Sequence, residues 1–212
     1  MDAFADLRRM MVDCQLRTYD VTDRGVLAAA DAVPREAFLP ESLSHLAYLD
    51  QAVAIPGTGR ALMAPMVVAR MIQVLAVQKG ERVLEYAGGT GYGAALMARM
   101  GADTTLWEPD AAARERALEA LARAGEPVTV TGERPEPKRF DAILVSGACE
   151  VVPDDLAPLL VEDGRLICVQ GTGRAARVTL YTRTGESFSG RAVFDAAAPL
   201  LDEFRRPAAF VF

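Results

Sequence analysis

The chain has 212 residues, which suits one large domain or one domain with an extension. Hydrophobic residues make up 51% and charged residues 25%, so a full core is available, while a formal net charge of −6 excludes the overall basic field of a phosphate-gripping nucleic-acid protein. A single histidine, His45, excludes chemistry that needs a histidine pair, and the scattered Cys14, Cys149 and Cys168 give neither a disulfide framework nor metal-ligand spacing; they are expected to be buried free thiols, with no metal.

In chain order, Phe4 to Arg17 carries apolar residues at Phe4, Leu7, Met11 and Cys14, a helical spacing. Thr22 is the expected cap of a second helix through Val26 and Leu27. Pro34 and Pro40 bound a short helical turn around Phe38, and Ile55-Pro56-Gly57-Thr58-Gly59 reads as a loop. Pro65 suits the first turn of a helix to about Ala76. Beyond Val77 the texture changes to alternating strands and helices. Strands are predicted at 82–86, 104–107, 128–130, 140–145 and 165–169, with two more at 177–182 and 190–194. Helices are predicted at 91–100, 110–124 and 153–160. This alternation implies an α/β fold, doubly wound around a mostly parallel seven-stranded sheet, in residues 78–212. Residues 1–77 form a helical extension with the substrate loop, packed on that sheet. No run approaches the roughly 18 apolar residues of a membrane span, and the start, Met1 to Asp6, is acidic where a secretory signal is basic; the protein is expected to be cytoplasmic, with no membrane partner.

The most informative stretch is Val83 to Ala95, a strand running through Ala87-Gly88-Gly89-Thr90-Gly91 into a helix. Such a turn lets a ligand approach the backbone beyond the carboxyl ends of the strands. Gly89 to Ala94 also fits the G-x-G-x-x-A dinucleotide pattern, with Glu108 placed to bind a ribose. S-adenosylmethionine uses a similar turn without a pyrophosphate and needs an acid on the first strand and another after the second; Glu85 and Glu108 supply both. Glu85, immediately before the turn, favours S-adenosylmethionine. A tight turn that binds nothing is the structural alternative.

The chain resembles the protein-L-isoaspartate O-methyltransferases over nearly its whole length. The resemblance lies in Gln15-Leu16-Arg17, Val21-Thr22-Asp23, Val33-Pro34-Arg35-Glu36-Ala37-Phe38-Leu39-Pro40, the turn at 83–95, and Phe140 to Val145. It implies methyl transfer from S-adenosylmethionine to isoaspartyl carboxylates of damaged proteins, a protein or peptide partner, and no nucleic acid. It further implies that Glu85 sits near the methionine portion, that Tyr86, Ala87, Gly88, Gly89 and Gly91 line the turn, that Glu108 holds the ribose, and that Glu133 stands in for the aspartate of a Gly-Asp at the adenine. Three positions depart from the family. Met63 replaces a serine at the substrate carboxylate, and Ala61 replaces a threonine nearby. Ala87 replaces the first glycine, which is tolerable only at negative φ. Glu133 replaces the aspartate. With the serine gone, the catalytic residue is unknown. Arg60 is a possible substitute that would bind a substrate carboxylate, though a solvated surface charge describes it more simply. A methyltransferase with another acceptor, a non-catalytic cofactor-binding module and a dinucleotide oxidoreductase are the rival readings.

Overall fold

The structure, a computed structural model, describes residues 3–207; Met1 and Asp2 of the acidic start lie outside them. Helix α1 (Ala3–Met11) runs on through a π-helical turn, Val12–Leu16, and a 3-10 turn, Arg17–Tyr19. Helix α2 (Arg24–Ala32) is capped by Asp23, whose carboxylate accepts from the Val26 N–H, and not by Thr22, one residue earlier. Short 3-10 turns follow at Arg35–Phe38 and Glu41–Leu46. Strands β1 (Val53–Ala54) and β2 (Ala61–Leu62) form a hairpin around the predicted loop, and α3 (Pro65–Leu75) starts at its proline.

The main sheet comprises β3 (Arg82–Tyr86), β4 (Asp103–Trp107), β5 (Thr129–Thr131), β6 (Phe140–Cys149), β7 (Leu160–Gln170), β8 (Arg177–Thr184) and β9 (Ser187–Asp195), in the order β5-β4-β3-β6-β7-β8-β9. The first five are parallel; β8 runs antiparallel to β7, and β9 antiparallel to β8. Helices α4 (Tyr92–Arg99) and α5 (Ala111–Ala124) make the crossovers on one side of β3. Only a 3-10 turn, Asp154–Leu159, precedes β7. The predicted helix at 153–160 does not form because Pro158 interrupts it and β7 already begins at Leu160.

Side chains alternate across the buried strands, so the sheet separates two cores. Val83, Ala142, Leu144 and Ile167 face one core together with Leu16, Val26, Phe38, Met71 and Leu96. The N-terminal 77 residues therefore share a core with the sheet. Leu84, Tyr86, Ile143 and Val145 face the other, with Leu156, Leu166, Leu201 and Phe204. Of the cysteines, Cys149 and Cys168 are buried as expected; Cys14 is exposed, because the second half of its helix turns that face to solvent. The chain reverses its winding direction at β3, between β4 and β6, which places a crevice at the carboxyl ends of these strands.

Candidate functional site

Glu85 shares the face of Val83 by strand alternation and points beneath the start of α4. Its carboxyl accepts from the Ala94 N–H (2.7 Å) and the Ser146 hydroxyl (2.5 Å), and it is 1% exposed. The glycines at 88 and 93 make room for it, since a Cβ at either position would run into the Glu85 carboxyl. Burial is the largest influence on this acid and raises its pKa from 4.5 to about 7; the Ser146 and Ala94 hydrogen bonds oppose the rise, and the nearby Glu108 charge adds to it.

Glu108, immediately after β4, is fully buried. It accepts from the backbone N–H groups of Gly89 (2.8 Å) and Asp110 (3.0 Å), so it anchors the glycine turn to the start of α5. Its remaining partner is Arg60, whose Nε donates at 2.9 Å. Burial pushes the Glu108 carboxyl upward, and the Arg60 charge and the donated hydrogen bonds pull it back. The two predicted acids thus stand at the ends of adjacent strands, on either side of the bare turn.

Arg60 corrects the expectation of a solvated charge. It is 7% exposed, and its two terminal nitrogens reach Glu203 at 3.2 and 2.5 Å, so it is not free for a substrate carboxylate. Burial alone would lower its pKa; the hydrogen bonds and charges of Glu203 and Glu108 outweigh that and raise it. Ala87 also departs from expectation. Its φ is +55°, a left-handed conformation in which a non-glycine residue is strained, yet it is 1% exposed inside the turn. Tyr86 packs edge-on against Trp107 and Phe204, with ring centroids 4.9 and 5.7 Å apart. Met63 is buried, and its carbonyl accepts from Arg35, which is itself fully buried over the Tyr92 ring. Glu133 does not join this cluster. It is exposed beyond β5, beside a hollow shared with Thr105, Arg134 and Arg139. His45 is exposed on its 3-10 turn, apart from the crevice.

Sequence reasoning missed Ser146, Leu201, Glu203 and Phe204. The last three lie on a segment pinned across the end of β6. Ala148 N–H donates to Pro199 O (2.8 Å), Leu201 N–H to Ala148 O (3.0 Å) and Glu150 N–H to Phe204 O (2.9 Å). The two acids expected of an S-adenosyl nucleoside site are therefore both buried beside the turn, and the space next to Glu85 is small. Between Met63, Glu85, Gly88, Tyr92 and Ser146 the cavity is about 10 Å³, room for about one water, where a small-molecule pocket takes roughly 300 Å³ or more. Ile55 and Arg60 lie directly on Gly89, where a Cβ would meet the Ile55 side chain at 2.9 Å. The chain's own hairpin covers the turn, and the C-terminal segment holds that hairpin through Glu203 on Arg60.

A family model for protein-L-isoaspartate(D-aspartate) O-methyltransferase matches residues 8–107, and a general methyltransferase-domain model matches residues 63–162. The chain is 41% identical over 186 residues to a protein-L-isoaspartate O-methyltransferase of Methylorubrum extorquens, covering 85% of this chain and 81% of the relative. It is 36% identical over 210 residues to protein-L-isoaspartate O-methyltransferase 2 of Marinobacter nauticus, covering 94% of each. Among solved structures, a protein-L-isoaspartate O-methyltransferase superposes with a TM-score of 0.77 at 28% identity, over 90% of this chain and 64% of that one. A Plasmodium falciparum structure of the same type, in complex with S-adenosyl-L-homocysteine, gives 0.72 at 22% identity over 92% and 98%, a likeness of fold.

Proposed function

Because the chain belongs to the protein-L-isoaspartate O-methyltransferase family, we propose that it transfers a methyl group from S-adenosylmethionine to a carboxylate of a damaged protein. The observation that carries this reading is the pair of buried acids, Glu85 and Glu108, flanking the turn at 87–91 where the sheet reverses its winding. Glu108 accepts hydrogen bonds only, which suits paired ribose hydroxyls, and Glu85 lies toward the amino-acid end. The cofactor supplies a methyl group on a sulfonium, a leaving group that needs no acid. The acceptor carboxylate, with a pKa near 4, is already ionised at neutral pH. What remains for the chain is to align acceptor and donor and to keep water out, which explains how a protein with one exposed histidine can serve. A cytoplasmic location belongs to the same proposal: Cys14 is an exposed free thiol, and no helix among the described residues is long and apolar enough to cross a membrane.

Met63 supports a second reading, a methyltransferase with a different acceptor. It stands where the family's serine would be, buried beside Glu85, and a thioether donates no hydrogen bond to a carboxylate. Labelled-methyl transfer to an isoaspartyl peptide, with its aspartyl twin as control, tests the first reading. A base-labile ester on the isoaspartyl peptide alone is expected. A protein that binds S-adenosylhomocysteine but esterifies neither peptide leaves the second reading in its place.

A further inference from the structure

Two segments far apart in sequence, the hairpin before α3 and the stretch after β9, meet over Glu108. We propose that Arg60 and Glu203 form an internal latch that competes with the nucleoside cofactor for Glu108 and holds the crevice shut. The proposal rests on the reading of the crevice as an S-adenosyl nucleoside site.

The competition follows from the atoms involved. Glu108 divides its oxygens among the Gly89 N–H, the Asp110 N–H and Arg60 Nε. The first two bonds build the turn, so Arg60 takes one of the two acceptor sites left for a pair of ribose hydroxyls. A buried guanidinium is a stronger partner for a carboxylate than a neutral hydroxyl, so ribose does not displace it freely. Glu203 is what keeps it there. Glu203 grips both terminal nitrogens of Arg60 while Nε holds Glu108, with the Arg60 side chain 4% exposed and that of Glu203 33% exposed. Neither carrier is loose. The hairpin is tied by Ile55 N–H to Arg60 O (3.0 Å) and by Gly59 N–H to the Asp110 carboxylate (3.3 Å). The C-terminal segment is tied to Ala148 and Glu150 and seats Leu201 and Phe204 in the second core. A ligand that binds only the open arrangement has its apparent affinity reduced by the fraction of molecules that are open.

The test is calorimetric titration of the full chain with S-adenosylhomocysteine, with circular dichroism and thermal unfolding on each variant. Glu203→Ala should bind about tenfold more tightly than the wild type, equivalent to about 1.4 kcal/mol. Arg60→Ala should gain at least as much. Glu203→Gln, isosteric at a partly exposed position, gives the same direction with a smaller gain and serves if the alanine variant fails to fold. A wild type that binds as tightly as the folded variants overturns the latch and leaves the crevice as a nucleoside site. No binding by wild type or any folded variant overturns the crevice reading, and the latch with it.

Discussion

Glu85→Gln isolates the cost of burying an acid under the glycine turn. The folded protein holds this carboxyl at a pKa of about 7, against an ordinary 4.5, chiefly because it is buried. Below pH 4.5 it is protonated in both folded and unfolded chains and contributes nothing to the pH dependence. Between 4.5 and 7 the unfolded chain releases its proton while the folded chain retains it, so stability falls as pH rises through that window. Above 7 the loss is complete and constant. At about 1.36 kcal/mol per pH unit, the full loss is about 3 kcal/mol, a large share of a typical domain's roughly 5–15 kcal/mol. Glutamine fits the same space. Its oxygen accepts from Ala94 N–H, and its amide donates to the Ser146 hydroxyl, which turns its own hydrogen away. Urea unfolding of both proteins at pH 4.5, 6 and 8 should show near-equal stability at the lowest pH. At pH 8 the variant should be about 3 kcal/mol more stable, with unchanged m-values. A difference independent of pH, or one favouring the wild type at pH 8, refutes the reasoning.

Arg35→Ala strands the carbonyls of Ala47 and Met63 inside the core and removes a cation from the Tyr92 face; at about 1–3 kcal/mol for each unpaired carbonyl, a loss of about 2–6 kcal/mol is expected in chemical denaturation, and a loss below about 1 would refute it. Phe204→Ala removes a ring that packs edge-on against Tyr86 within the second core and should cost about 3 kcal/mol; a melting temperature equal to the wild type would show that the C-terminal segment is not docked in solution. Met63→Ser restores a donor beside Glu85 at a buried position. It should raise methylation of an isoaspartyl peptide while lowering stability by about 2 kcal/mol through the cavity it leaves. Absence of any gain in a folded, nucleoside-binding variant would remove position 63 from the acceptor site.

The legible part of the molecule was the local part. The apolar strand before Ala87 and the glycines after it carry their conformation in adjacent residues, so β3, the turn and α4 fell where the pattern put them. Glu85 and Glu108 could be placed for the same reason. Arg60 was misread because nothing near it in sequence shows that it is buried; its partners lie 48 and 143 residues away. Leu201 and Phe204 are not legible because Leu200-Leu201 and Phe204, set among Pro, Asp, Glu and Arg, show no period, and their bonds run to Ala148 and Glu150. Val161-Glu162-Asp163-Gly164 shows no strand pattern in sequence, yet β7 runs through it; Asp163 takes a left-handed φ of +58° before Gly164, an irregularity that also shifts the register against β6. At Ala87 the residue type argued for negative φ, and the turn geometry prevailed.

Trp107 has a use that its packing gives it. It is the chain's one indole, 8% exposed and adjacent to Glu108, with a ring nitrogen that finds no hydrogen-bond partner among the described residues. Its neighbours are Tyr86, which Phe204 covers, and the Arg134 guanidinium, 5.5 Å from the ring. Water reaching that nitrogen would move its emission to longer wavelength, so the folded protein carries an unlabelled optical gauge of whether its crevice stands ajar.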